Sequence, residues 1–130
     1  MALQVPPNCD LTLGLICLDK SVPGHTVWQM RADERFLNPA GIVQGGFLSA
    51  MLDSAMGASA VSALEGRKAF VSNAELKVSF LRPVREGEVL TCTATVSSRG
   101  RTVMFLEGTV VNDEATEVAR ATSTYIVKER

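Results

Sequence analysis

The chain has 130 residues, 46% hydrophobic and 21% charged, the proportions of an ordinary folded domain rather than a disordered or membrane-spanning chain. A formal net charge of −1 leaves no basic excess to neutralise phosphates, which argues against a general nucleic-acid binder. Cys9, Cys17 and Cys92 are odd in number and form no CxxC pair, so a disulfide framework and a zinc site are disfavoured and a reducing, cytoplasmic setting is expected.

One domain spanning residues 1–130 is expected, with no internal repeat, low-complexity tract or linker. The opening MALQVPPNCD has no basic stretch followed by an apolar one, so no signal peptide is read there. No uncharged run of about 18 apolar residues occurs, so no membrane span is expected. Residues 13–18 and 26–32 read as strands joined by the turn Ser21-Val22-Pro23-Gly24. His25, the only histidine, is read as an exposed turn residue. A Ser-His-Asp triad, a Cys-His pair or a multi-histidine metal centre would all have to use it, and HExxH, GxSxG, GxGxxG and P-loop patterns are absent. Chemistry is therefore expected from carboxylate, amide and backbone groups, without metal or cofactor.

After a loop carrying Asn38, Pro39 and Gly41, a long helix is expected to begin near Gly45-Gly46 and end near Gly66, with Arg67 and Lys68 beside its end. Phe47, Leu48, Ala50, Met51, Leu52, Ala55, Met56, Ala58 and Val61 place apolar or small side chains all round it, the pattern of a buried helix. Asp53 is the only charged residue between Phe36 and Leu64. A buried carboxylate costs several kcal/mol unless partnered, so Asp53 is a candidate for function; a hydrogen bond to nearby backbone or a distant Arg is the plainer alternative.

The second half is strand after strand. Residues 74–80 alternate apolar and polar, Pro83 and Glu86-Gly87 break the run, and Leu90-Cys92-Ala94-Val96 resumes it. Ser98-Arg99-Gly100-Arg101 reads as a hairpin turn before Val103 and Phe105, and Asn112-Asp113-Glu114 as another before Ala119, Ala121, Ser123, Tyr125 and Val127. One helix and about six strands predict an α+β fold, an antiparallel sheet wrapped around the helix. Such a sheet leaves edge strands open, and pairing with a second copy is the expected remedy.

The pattern Asn38-x-x-Gly41-x-x-Gln44-Gly45-Gly46 followed by Asp53 resembles the signature of hotdog-fold acyl-CoA thioesterases. It is most similar to the phenylacetic-acid-degradation group, with the 4-hydroxybenzoyl-CoA thioesterases related. The run from Glu75 to Val84 and the later Arg99-Gly100-Arg101 resemble the same family, so the similarity covers nearly all of the chain beyond about residue 12. The resemblance implies a cytoplasmic hydrolase acting on acyl-CoA as a homodimer or homotetramer. It implies Asp53 as general base or nucleophile, the Gly45 N–H as the group polarising the thioester carbonyl, Asn38 and Gln44 as positioning residues, and Asn73 as an assisting one. Gln44 stands where the family commonly has His, and Asn73 where many relatives carry Ser or Thr. A non-catalytic acyl-CoA sensor and, behind it, a hotdog dehydratase are the alternatives.

The residues add their own support. Backbone N–H groups at a helix start are unpaired and electropositive, a ready oxyanion site, and glycine permits close approach; alternatively Gly45-Gly46 only eases a tight turn. Eight residues of helix separate Gly45 from Asp53 by roughly 12 Å, too far for one carbonyl to meet both within a single chain. Two antiparallel helices from two chains would bring each Gly45 to the partner's Asp53. Gly46 and Phe47 are candidate substrate contacts beside Gly45, and Trp28 and Phe47 either line an acyl pocket or belong to the core. Arg82, Arg85, Arg99 and Arg101 are candidates for the phosphates of coenzyme A or, equally, solvated strand-end charges.

Overall fold

Strand alternation and the single apolar helix resolve into two layers in the computed structural model, which describes residues 4–130. The first three residues of the segment read for a signal peptide lie outside the described residues. A short helix, α1 (Asn8–Leu13), precedes β1 (Ile16–Val22) and β2 (His25–Arg31). A 3-10 turn at Glu34–Phe36 leads to α2 (Gly45–Ser62), and β3 (Ala69–Phe80), β4 (Val89–Arg99), β5 (Val103–Val111) and β6 (Glu117–Glu129) follow. All strands pair antiparallel in one six-stranded sheet of order β1-β2-β4-β5-β6-β3, curled around α2 in the hotdog arrangement.

Small residues let the helix sit close to the sheet. One cross-strand row runs Thr26, Ala94, Gly108, Ala121, Val78, and α2 crosses it with Leu52 and Met56. A Cβ at Gly108 would stand 2.9 Å from Leu52 Cδ2, so the central strand must lack a side chain there. Met30, Met51, Leu52, Met56, Leu90, Met104 and Leu106 fill the interior.

Several boundaries differ from the sequence expectation. The helix ends at Ser62 rather than Gly66, with Ala63 as its cap, because Glu65 and Gly66 both turn to positive φ. The first strand begins at Ile16, and residues 8–13 are the whole of α1, a segment too short to show a period. His25 starts β2, half-buried, with Nδ1 2.9 Å from Thr95 Oγ1, rather than lying in an exposed turn. Nor is α2 enclosed on every side: Asp53, Ser54, Gly57 and Ala58 are half-buried and Val61 is 55% exposed. The sheet of one chain covers only part of the helix, and the small side chains on the remaining face border a cavity.

Candidate active site

The start of α2 is set by the loop before it. Asn38 Oδ1 accepts hydrogen bonds from Ala40 N (2.9 Å) and Ile42 N (3.1 Å), an Asx turn that closes the loop on itself. Val43 N then donates to Val84 O and Gln44 N to Phe36 O, so both flanks of the helix entry are held. Gln44 is the N-cap residue, exposed, with no side-chain capping bond. Gly45 and Gly46 therefore open the first turn, where N–H groups point outward without intrahelical acceptors. Phe47 stacks on Phe36 at 4.4 Å between ring centroids and packs against the core, which anchors this turn.

A groove of about 400 Å³ lies beside Gly45, bordered by Ile42, Leu48, Phe80, Arg82 and Pro83. The Phe80 ring lies so close over Gly45 that a Cβ there would stand 2.7 Å from its Cζ, yet the ring itself is 53% exposed. Arg82, exposed at the groove, donates from Nη1 to Leu81 O.

Asp53 borders a different and larger cavity, about 810 Å³, which runs along the open face of α2 past Gly57, Ala58 and Val61. Trp28, Val71, Asn73, Tyr125 and the N-terminal residues Val5, Pro7 and Cys9 also line it. Trp28 is aimed by a chain of hydroxyls: its Nε1 donates to Thr26 Oγ1 at 2.9 Å, Thr26 Oγ1 lies 2.6 Å from Ser59 Oγ, and Ser59 Oγ donates to Ala94 O.

The carboxylate is gripped from the sheet. Asp53 Oδ1 accepts from Asn73 Nδ2 at 2.8 Å and from the Tyr125 hydroxyl at 2.6 Å. The Asn73 amide is oriented in turn, because its Oδ1 accepts from Glu75 N (3.0 Å) and lies 2.9 Å from Ser123 Oγ, whose one proton is shared with Glu75 O at 2.8 Å. A β-bulge between Asn73 and Glu75 makes this possible. Strict alternation from Leu76 and Val78, which face the helix, would send Asn73 to the outer face; the extra residue, Ala74, restores it to the inner one. Burial and the neighbouring Asp53 carboxylate push the Tyr125 phenol well above its ordinary value, so it stays protonated and donates. The Cys92 thiol, buried in the core, is pushed up to about 12 and is inert at neutral pH.

The structure thus brings Asp53 together with Asn73, and Gly45 with Gln44, Gly46 and Arg82, but in two separate places. Arg99 and Arg101 lie near the other end of α2. Arg99 pairs with Glu65 at 2.9 Å, and Arg101 lies 3.8 Å from Glu129. Arg85, exposed, takes part through its backbone in a bridge to Ile42. Sequence reasoning missed Tyr125, Ser123 and Phe80 as site residues. Tyr125 carried a signal: it is the only tyrosine, on the inward series of the last strand, and a buried hydroxyl needs a partner.

A model of the thioesterase superfamily matches residues 40–119, more than half of the chain. Acyl-coenzyme A thioesterase 13 of Homo sapiens is 26% identical over 111 residues, 85% of this chain and 78% of that protein. A phenylacetic acid degradation-related protein of Ralstonia eutropha JMP134 superposes with TM-score 0.85 at 36% identity, covering 92% of this chain and 89% of its own. The E. coli PaaI protein from the phenylacetic acid degradation operon shares the fold, with TM-score 0.87 at 24% identity over 94% of this chain and 85% of its own.

Proposed function

The chain belongs to the thioesterase superfamily, and from that premise we propose that it hydrolyses acyl-coenzyme A thioesters to the free acid and coenzyme A. The relationship to acyl-coenzyme A thioesterase 13 supports the substrate class. The observation that carries the mechanism is the separation of Gly45 and Asp53 into different cavities on one helix. Eight residues of α2 put them roughly 12 Å apart, so a working site takes Gly45 from one protomer and Asp53 from its partner.

In that composite site the thioester carbonyl lies against the first-turn N–H of Gly45, which the positive end of the helix reinforces as charge builds on the oxygen. The partner's Asp53 works from the opposite side. It either takes a proton from a water attacking the carbonyl carbon, and the thiolate of coenzyme A leaves with that proton, or attacks that carbon itself and expels the thiolate, leaving a mixed anhydride that water then cleaves to the free acid and Asp53. The acyl chain lies along the apolar wall of Trp28, Val61 and Val71, and Arg82 draws a phosphate of coenzyme A to the groove.

Thiol release from a panel of aliphatic and aryl acyl-CoAs tests this. Turnover on at least one of them is expected. A protein that binds acyl-CoA tightly but releases no thiol from any of them would be a sensor, and the hydrolase reading would fail.

A further inference from the structure

Tyr125 is not among the residues that the family resemblance assigns, yet it makes the shortest hydrogen bond to the carboxylate. Its hydroxyl lies 2.6 Å from Asp53 Oδ1 and 2.9 Å from the Asp53 carbonyl oxygen. One phenol proton serves one acceptor well, and the ionised oxygen at the shorter distance is the stronger partner. Asn73 occupies the other side of the same Oδ1. Neither end of the Asn73 amide is free to turn: its carbonyl oxygen already accepts from Glu75 N and lies 2.9 Å from Ser123 Oγ, so the NH2 group must face the carboxylate. Oδ2 takes no hydrogen bond among the described residues, and Asp53 borders the large cavity.

We propose that Tyr125 is a positioning residue for thioester hydrolysis, its phenol and the Asn73 amide together holding Asp53 Oδ1 so that Oδ2 alone is presented to the reacting centre. This rests on the hydrolase reading above. It also places Asn73 behind the carboxylate, where its NH2 group donates to Asp53 Oδ1 at 2.8 Å and lies 3.4 Å from the Tyr125 hydroxyl. The bulge at Ala74 then has a functional consequence, because without it the amide would leave the inner face and the phenol would hold Oδ1 alone. Tyr125 is 3% exposed on β6 and packs against α2, so its ring cannot follow a substrate and can only hold the acid still.

Tyr125→Phe keeps the ring and removes the hydroxyl. In the full-length protein, kcat for thiol release is expected to fall about ten- to a hundredfold, as for loss of a group that orients a reacting one, with KM changed less than about twofold. Combined with Asp53→Asn, Tyr125→Phe is expected to add no further loss, since it acts through the acid. Ser123→Ala, which leaves the Asn73 carbonyl oxygen held by Glu75 N alone, should lower kcat in the same way but less.

A readout independent of turnover follows from Tyr125 being the only tyrosine. Its hydroxyl-proton NMR signal reports that one group, and should move upfield in Asp53→Asn as an ionised acceptor is replaced by a neutral amide. An active wild type whose Tyr125→Phe variant keeps full kcat, or whose loss adds fully to that of Asp53→Asn, overturns the inference while leaving the hydrolase reading intact. So does a hydroxyl-proton signal that Asp53→Asn does not move. A wild type inert on every acyl-CoA overturns the hydrolase reading, and the inference with it.

Discussion

At its first turn α2 offers the neighbouring groove only backbone N–H groups, whereas at Asp53 it offers a carboxylate held by side chains of β3 and β6. The first place is made by removing a side chain, at Gly45, under the Phe80 ring. The second is made by adding them: Asn73, Ser123 and Tyr125, brought into line by a bulge and strand register. In the mechanism proposed above each is half of one site, the first for the developing oxyanion and the second for the base or nucleophile. The two halves tolerate change differently, because a backbone donor is lost only by proline or by obstruction, while a carboxylate is lost by any substitution.

The largest effect is expected at the carboxylate. Asp53→Asn keeps an oxygen that can accept from Tyr125 and Asn73, so the fold should survive while turnover falls by about a hundredfold or more. Circular dichroism and thiol release measured together check this. A variant that melts far lower yet hydrolyses at the wild-type rate in its folded fraction would make Asp53 structural.

At the other half, Gly45→Ala leaves the N–H in place but puts a methyl 2.7 Å from the Phe80 ring. The ring is half in solvent and can swing aside, into the groove where substrate would lie. Activity should fall about tenfold, as misplacement of a bound group by a fraction of an ångström does. Phe80→Ala added to Gly45→Ala should restore part of it; no restoration would mean that obstruction is not the cause.

A smaller change is expected from Arg82→Ala, which removes a groove-side cation without touching either reacting group. KM for acyl-CoA should rise several-fold with kcat unchanged, and the difference should shrink in high salt. An unchanged KM at low ionic strength would leave Arg82 a solvated strand-end charge.

The smallest effect concerns alkaline stability. Tyr125, ordinarily near 10.0, is held well above that in the folded chain by burial and by Asp53. Cys92 is raised from 9.0 to about 12 by burial. Both raised groups bind a proton in the folded chain after the unfolded chain has lost it, so their contribution is complete below the unfolded values and drains away as pH rises through the folded ones. Melting temperature should therefore decline from about pH 9 upward, and less steeply in Tyr125→Phe. A melting temperature that stays flat from pH 8 to pH 11 would contradict the burial of both groups.

Much of this layout was legible in the sequence. A single acid within an apolar helix pointed to Asp53 because burying a lone charge is costly, and the glycine pair marked the helix start because an N-terminal turn leaves donors open. The six strands followed from alternation. The support of the acid did not, because it depends on register between chain segments some fifty residues apart. The run 74–80 alternates without a break, and only pairing with β6 reveals that Ala74 is extra and Asn73 faces inward. Asn73 entered through family resemblance, and Tyr125 was read only as an inward strand residue. The arginines were indistinguishable by sequence, and only structure separates Arg82 at the groove from Arg99, already engaged by Glu65. The open face of α2 was hidden for a related reason, since apolar and small side chains all round a helix do not tell which of its faces the sheet reaches.

Whether the two halves meet across protomers is tested most directly by complementation. Asp53→Ala and Gly45→Pro are each expected to be inactive. Proline suits the first helical position and removes the N–H, and Gln44 before it already has the extended ψ of 137° that a residue preceding proline requires. Co-refolding the two makes about half of the dimers mixed by random reassortment, and each mixed dimer holds one intact site of two. Thiol release should recover to about a quarter of the wild-type rate. No recovery, with mixed dimers confirmed by mass, would mean that Gly45 and Asp53 do not face one another across an interface.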